Sequence, residues 1–279
     1  MTKRAGYLFV APFLIFFLLL FLLPLGYAGY LSLFKDQLVG GTVFAGLANY
    51  SRALADDQLL RGVLRVGLFF LVQVPVMLLV SLGAALAIDS GLLRAARLFR
   101  LGIFLPYAVP SVVAALMWGY LYGPSFGPLA KLGFNPLSQT LMLPSLGNIV
   151  TWEFAGYNMI ILYAALRTVP AERYEAAAVD GAGPWRTAWS IKIPALRPAL
   201  LLCLVFSVIG SFQLFAEPKL IQPLAPTVIN SSYTPNLYAY SLAFISQQVN
   251  YAAAVSFLLG FVILVVSYAV LLTATRSRR

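Results

Sequence analysis

Three polar residues, Glu153, Tyr157 and Asn158, lie in an otherwise apolar stretch and are the strongest candidates for chemistry in this sequence. Tyr157 follows Glu153 by four positions, so on a helix the two share a face, and Asn158 lies roughly 100° further round. Carboxylate and amide groups can exchange hydrogen bonds with hydroxyl groups. Polar groups inside a membrane are costly, so they usually mark a pathway or bind another helix. The sequence leaves open whether Glu153 lies in a pathway or at the membrane surface.

Several classes of enzyme are excluded by the residue types that the chain lacks. There is no histidine, which excludes HExxH zinc sites, Ser-His and Cys-His pairs and haem ligation by imidazole. The single cysteine, Cys203, can form neither a disulfide nor a thiolate cluster within the chain. No GxxxxGK[ST] phosphate loop is present, so we predict that this chain is not an enzyme, binds no cofactor of its own and obtains any energy from another protein.

The composition is that of a membrane protein. Hydrophobic residues make up 61% of the 279 positions and charged residues 10%, against roughly half and a quarter in a soluble domain. The net charge of +10 does not indicate nucleic-acid binding, because the basic residues form short clusters between long uncharged runs. That pattern is typical of membrane loops.

The uncharged runs predict an all-α membrane protein with six transmembrane helices in a single domain, residues 1–279. Each run is long enough to cross a bilayer of roughly 30 Å. The predicted spans are residues 6–33, 66–88, 101–122, 146–166, 198–216 and 251–273. Thirteen of the 19 lysines and arginines fall on the side that holds both termini and the loop 167–197. By the positive-inside bias, that side is cytoplasmic, which predicts a multi-pass protein with cytoplasmic N- and C-termini.

The cytoplasmic loop 167–197 is predicted to hold two short helices. Pro170 begins the first, which reaches Val179, and Gly181 ends it because glycine tolerates the left-handed conformation of a helix terminus. Pro184 begins the second, and we expect Pro194 to stop it. The residue types fit either a docking surface for another protein or an amphipathic helix that lies on lipid headgroups.

The motif within this loop closely resembles a known one. Glu175-Ala-Ala, followed by Asp180-Gly-Ala and Trp185, is similar to the EAA loop of permease subunits of binding-protein-dependent ABC importers. The resemblance implies a type I ABC importer permease fold, with an EAA coupling helix between spans four and five that a separate ATPase grips. The residues that it assigns to ATPase coupling are Tyr174, Glu175, Ala176, Ala177, Asp180, Gly181 and Ala182.

The resemblance extends over nearly the whole chain to the carbohydrate-type permeases, similar to the maltose and glycerol-phosphate systems. Phe44–Tyr50, Phe104–Pro110 and Tyr238–Phe244 match elements of those proteins, whereas Gln222–Thr227 departs from their glycine-rich turn. The resemblance implies import of a sugar or sugar-like solute across a prokaryotic plasma membrane. The implied partners are a second permease subunit of different sequence, two ATP-binding subunits that hold ATP and Mg, and an extracytoplasmic solute-binding protein.

For a sugar, the polar residues of spans four and five form a plausible pathway. Trp152 and Tyr157 can stack on the apolar face of a pyranose ring, and Pro106 and Pro110 can bend span three and open a cavity, or be ordinary kinks. Ser207 and Ser211 are either pathway residues or helix-packing residues. The predicted pathway residues are Trp152, Glu153, Tyr157, Asn158, Ser207, Ser211 and Gln213. The alternative is a proton-coupled secondary transporter that uses Glu153, although no inverted repeat supports it.

Overall fold

A computed structural model describes residues 3–37, 40–91 and 93–276, and these are mostly helical. The helices that form the bundle are α1 (Lys3–Phe17), α2 (Leu23–Ser32), α4 (Asp57–Asp89), α5 (Ala96–Phe104), α6 (Ser111–Tyr122), α7 (Met142–Leu166), α10 (Ile193–Phe212) and α13 (Val249–Arg276). The shorter helices are α3 (Ala48–Leu54), α8 (Ala171–Val179), α9 (Pro184–Thr187), α11 (Ala216–Ile221) and α12 (Pro235–Tyr240).

Within the described residues, five helical stretches are long and apolar enough to cross a membrane. They are Leu8–Ser32, Asp57–Asp89, Met142–Leu166, Pro184–Leu224 and Val249–Leu272, and they coincide with five of the six predicted spans. The remaining prediction, residues 101–122, falls on α5 and α6. These two helices are bent by 98° against each other, and they count as a sixth span only if the bent pair is taken as one.

The bend between α5 and α6 lies where the prolines predicted it. A short 3₁₀ turn, Leu105–Ala108, follows α5, and α6 begins only after Pro110. Proline has no backbone N–H to continue a helix, and its ring disfavours the helical conformation of the residue before it. Pro106 and Pro110 therefore interrupt the helix twice within five residues, which is more than an ordinary kink.

The centre of the bundle is the packing of α4 against α7. The Ser81 hydroxyl of α4 donates a hydrogen bond to the Ala155 carbonyl of α7 at 2.9 Å. On α7, Gly156 faces the end of α5 so closely that an added Cβ would lie 2.0 Å from the Ile103 carbonyl oxygen. Small residues thus allow three helix backbones to approach one another at this level.

At the end of the bundle where α4 begins, one carboxylate joins three helices. Asp56 caps α4, where its Oδ1 accepts a hydrogen bond from the Gln58 N–H at 2.9 Å. Its other oxygen accepts hydrogen bonds from the hydroxyls of Tyr238 at 2.7 Å and Tyr251 at 2.6 Å. Burial raises the pKa of Asp56, but the bonds from Tyr251, Tyr238 and the backbone outweigh it and lower the pKa overall.

Two features differ from the sequence-based expectation. The antiparallel strands β1 (Phe34–Gln37) and β2 (Gly41–Phe44) form a small hairpin, so the described chain is not wholly α-helical. The prediction that the second helix of the loop stops at Pro194 was wrong. This helix continues into α10 through a π-helical turn, Ala188–Lys192. In this wider turn the Ile193 N–H bonds to the Ala188 carbonyl, so the ladder is complete just before Pro194, whose missing N–H is tolerated in the first turn that follows.

Candidate functional site

A polar cavity of about 460 Å³ lies between α4, α7, α10, α11 and the bend of α5 and α6. Five of the seven predicted pathway residues line it, together with residues that the sequence did not single out. The predicted ones are Tyr157, Asn158, Ser207, Ser211 and Gln213, and the additional polar ones are Gln73, Tyr107, Ser111 and Glu217.

An aromatic cluster forms one side of the cavity. The rings of Tyr107 and Tyr157 stack with centroids 4.8 Å apart, and Phe154 meets the Tyr107 ring edge-on at 5.9 Å. Tyr107 belongs to the turn that follows α5, so the proline bend brings it to α7. Trp152 was predicted to share this role, but it is not a lining residue in the described structure and instead contacts Trp118 of α6 at 5.9 Å.

Two acidic residues lie at the cavity. Glu153 is only 3% exposed and is not among the described lining residues, and its Oε2 has no hydrogen-bond partner among the described residues. Glu217, which is 7% exposed, is part of the lining, and the charges of the two carboxyl groups interact. Sequence reasoning missed Glu217 because its charge looked like the boundary of the fifth span. The chain instead turns back into the protein as α11 and buries it.

Gln73 of α4 is the second buried polar residue that the sequence did not single out. Its amide nitrogen lies 3.3 Å from Thr151 Oγ1 and 3.4 Å from Met77 Sδ, whereas its Oε1 has no partner among the described residues. A buried amide with one free oxygen is a ready acceptor for a ligand hydroxyl. The available signal was a lone glutamine in the uncharged run 66–88.

The two serines of α10 differ in what they offer the cavity. The Ser207 hydroxyl donates to the Cys203 carbonyl one turn earlier, at 2.7 Å, which is the usual local bond of a helical serine. The Ser207 hydroxyl is therefore already engaged within α10. Ser211 is buried at the cavity wall, and Gln213 follows the end of α10.

At the opposite end of the bundle, α8 presents the predicted coupling residues. It spans Ala171–Val179, as predicted, and Gly181 follows with φ +71°, the left-handed conformation that favours glycine. A groove of about 440 Å³ separates α8 from the start of α10. Its walls include Ala176, Ala177 and Asp180, while Glu175 is exposed to solvent and Ala182 donates its N–H to the Ala177 carbonyl.

Tyr174 connects α8 to the bundle. Its ring lies 5.5 Å from the Lys192 ammonium group, and its hydroxyl is buried without a partner among the described residues. Burial and the charge of Asp89 raise the pKa of Tyr174, against the opposing effect of Arg167. Lys192 in turn pairs with Asp89 at 2.5 Å. This chain of contacts leads from α8 to the end of α4.

A family model described as "Binding-protein-dependent transport system inner membrane component" matches residues 80–278, well over half of the chain. The chain belongs to this family. The assignment confirms the resemblance drawn from the loop motif, and it does not favour a proton-coupled carrier based on Glu153. As a member of an inner membrane component family with several apolar helices, the chain is a multi-pass membrane protein.

Relatives within this family extend over most of the chain. The arabinooligosaccharides transport system permease protein AraP of Bacillus subtilis (strain 168) is 31% identical over 277 residues, covering 95% of this chain and 87% of AraP. The lactose transport system permease protein LacF of Rhizobium radiobacter is 31% identical, covering 94% and 91%. A chain of a bacterial ABC transporter involved in the import of the acidic polysaccharide alginate shares the fold, with a TM-score of 0.83 at 20% identity over 98% of this chain and 96% of that one.

Proposed function

We propose that this chain is the permease subunit of an ATP-driven, binding-protein-dependent importer of sugars or sugar-like solutes. The observation that carries the proposal is α8, a short exposed helix that bears the EAA motif and ends at a left-handed glycine. The distribution of basic residues supports a cytoplasmic position for both termini and the loop 167–197, and the resemblance to binding-protein-dependent importers implies a prokaryotic cell.

The coupling step follows from the contacts of α8. Two ATP-binding subunits hold ATP and Mg, and one of them receives the exposed face of α8, including Glu175 and Ala176. When these subunits close around ATP, they displace α8, and the contacts of Tyr174 with Lys192 and of Lys192 with Asp89 pass the displacement to α10 and α4. A rigid-body movement of this kind opens the cavity to alternate sides of the membrane.

The cavity supports a sugar as the solute. Stacked tyrosines offer a flat apolar face to a pyranose ring, and neighbouring amides and carboxyl groups exchange hydrogen bonds with hydroxyls. The names of AraP and LacF describe transport of arabinooligosaccharides and lactose. A second permease chain of different sequence completes the pathway, and an extracytoplasmic binding protein delivers the solute.

The test is the ATPase activity of the purified assembly in lipid, with and without its binding protein. We expect a mono- or disaccharide in a panel of sugars and glycerophosphates to stimulate hydrolysis only when the binding protein is present. Stimulation by amino acids or metal ions, with none by any carbohydrate, would contradict the proposed solute. ATP hydrolysis that does not depend on the binding protein would contradict the proposed importer mechanism.

A further inference from the structure

The described lining residues of the cavity carry no positive charge. None of its described lining residues is a lysine or an arginine, and Glu217 is the ionisable acid among them. Glu153, which is 3% exposed and is not among the described lining residues, adds a second acid whose charge interacts with that of Glu217. Whether a carboxyl group is ionised or protonated, it offers no positive charge to a ligand.

The unsatisfied side-chain atom of the described lining is an oxygen that accepts hydrogen bonds. Gln73 Oε1 is buried without a partner among the described residues, while the Gln73 amide nitrogen is already engaged with Thr151 and Met77. A buried acceptor without a partner is unfavourable. A ligand that brings hydrogen-bond donors therefore stabilises this wall, and one that brings only further acceptors does not.

From this charge and hydrogen-bond pattern we propose that the cavity selects uncharged or amine-bearing sugars and rejects anionic ones, such as uronates and sugar phosphates. The proposal rests on the proposed function and specifies its solute. Hydroxyl and ammonium groups donate to the side-chain oxygens of Gln73 and Glu217, two residues of the lining, and the stacked rings of Tyr107 and Tyr157 receive the apolar sugar face. A carboxylate or phosphate group meets Glu217 with no cation among the described lining residues to compensate it.

The test uses two ligands that differ in a single group, methyl β-D-glucopyranoside and methyl β-D-glucuronide. Each is titrated into the purified assembly of both permeases and the ATPase subunits without binding protein, and binding is followed by saturation-transfer NMR. Omitting the binding protein removes its own selectivity from the result. Because an ionised Glu217 repels a carboxylate and no described lining residue supplies a compensating cation, we expect the neutral glycoside to bind at least about a hundredfold more tightly.

Variants of Glu217 connect the preference to this wall. Glu217→Gln keeps the shape of the side chain and removes its charge, so the preference for the neutral glycoside should fall by about tenfold or more. Glu217→Lys should reverse the preference, provided that the variant still assembles with its partners. The matched control is Asp57→Asn, which removes an exposed acid at the start of α4, and it should leave the preference as it is in the wild type.

Three results would overturn the proposal: equal binding of both glycosides to the wild type, no binding of either, or an unchanged preference in Glu217→Gln. None of these depends on the ATPase panel. Sugar-stimulated ATP hydrolysis together with equal binding of the two glycosides would support the importer but reject selection by charge. A lack of any sugar-stimulated hydrolysis would reject the proposed solute, and hydrolysis that does not depend on the binding protein would reject the importer itself.

Discussion

Lys192 and Asp89 form an ion pair across 103 residues of sequence, with Nζ and Oδ2 2.5 Å apart. Their side chains are only 15% and 11% exposed, so most water is excluded from the pair. The pair joins the end of α4 to the π-helical turn that begins the α10 span. Lys192 also lies against the ring of Tyr174, which places the pair next to α8.

Breaking this pair on one side should be costly. Lys192→Met leaves Asp89 as an uncompensated, largely buried charge, and we expect the free energy of unfolding to fall by about 3 kcal/mol. Adding Asp89→Asn removes that charge and should recover most of the loss. The measurement is thermal unfolding in detergent of the two single variants and the double variant, with the exposed Lys131→Met as control. Strictly additive losses would show that the two residues do not interact.

The contact between α7 and α5 predicts a second effect. In Gly156→Ala the new Cβ would lie 2.0 Å from the Ile103 carbonyl oxygen and 2.7 Å from the Phe104 Cα, both backbone atoms that cannot rotate away. We expect a loss of about 3 kcal/mol in stability and poor assembly with the partner subunits. Gly67→Ala in α4 is the matched control, since nothing lies within 4 Å of its added Cβ. That change should be neutral or stabilise by up to about 1 kcal/mol.

Two glycines after α8 allow the effect of backbone conformation to be tested separately from steric crowding. Neither Gly181 nor Gly183 has any atom within 4 Å of an added Cβ, but only Gly181 has a positive φ, +71°. Alanine at 181 should strain the turn by about 1 to 2 kcal/mol and displace the end of α8. We expect Gly181→Ala to reduce the sugar-stimulated ATPase rate of the assembly about fivefold or more, while Gly183→Ala keeps it. Equal rates would argue that the turn is unimportant for coupling.

The carboxylate of Asp56 should make the free energy of unfolding depend on pH in the acidic range. Its pKa in the folded protein lies below the ordinary value of 3.8, so its contribution is complete above that value and is lost as the pH falls through the folded pKa. Asp56→Asn replaces two charge-assisted bonds, and we expect a loss of about 2 kcal/mol at neutral pH that shrinks towards zero in acid. Melting temperatures of wild type and variant across this range test the sign. Asp57→Asn, one residue on and exposed, should show no such convergence.

The spans and α8 could be predicted because their signals are local. The uncharged runs are long enough to cross a membrane, which makes the spans visible in the sequence. The proline before Ala171 and the glycine after Asp180 mark the ends of α8. The size of the bend between α5 and α6 could not be predicted, because proline only interrupts a helix. Its final angle depends on what packs against the broken segment, here Tyr107 on Tyr157.

The candidate site was only partly predictable for a similar reason. Glu153, Tyr157 and Asn158 stand out as polar residues in an apolar run, but helical periodicity does not fix which neighbour reaches the cavity. Trp152 was assigned to the pathway and packs on Trp118 instead, while Glu217 was taken as a span boundary and proved to be part of the wall. Both outcomes depend on contacts between residues far apart in sequence. The hairpin was missed because four residues per strand give almost no pattern.

The break between α5 and α6 has a consequence for solvent. Backbone that leaves the helical hydrogen-bond pattern at membrane depth is tolerated only where protein covers it or where it borders water. Tyr107 and Ser111 lie on either side of the break, and both line the cavity. We therefore expect the cavity to hold water when it is empty, and a solute that enters it to exchange places with that water.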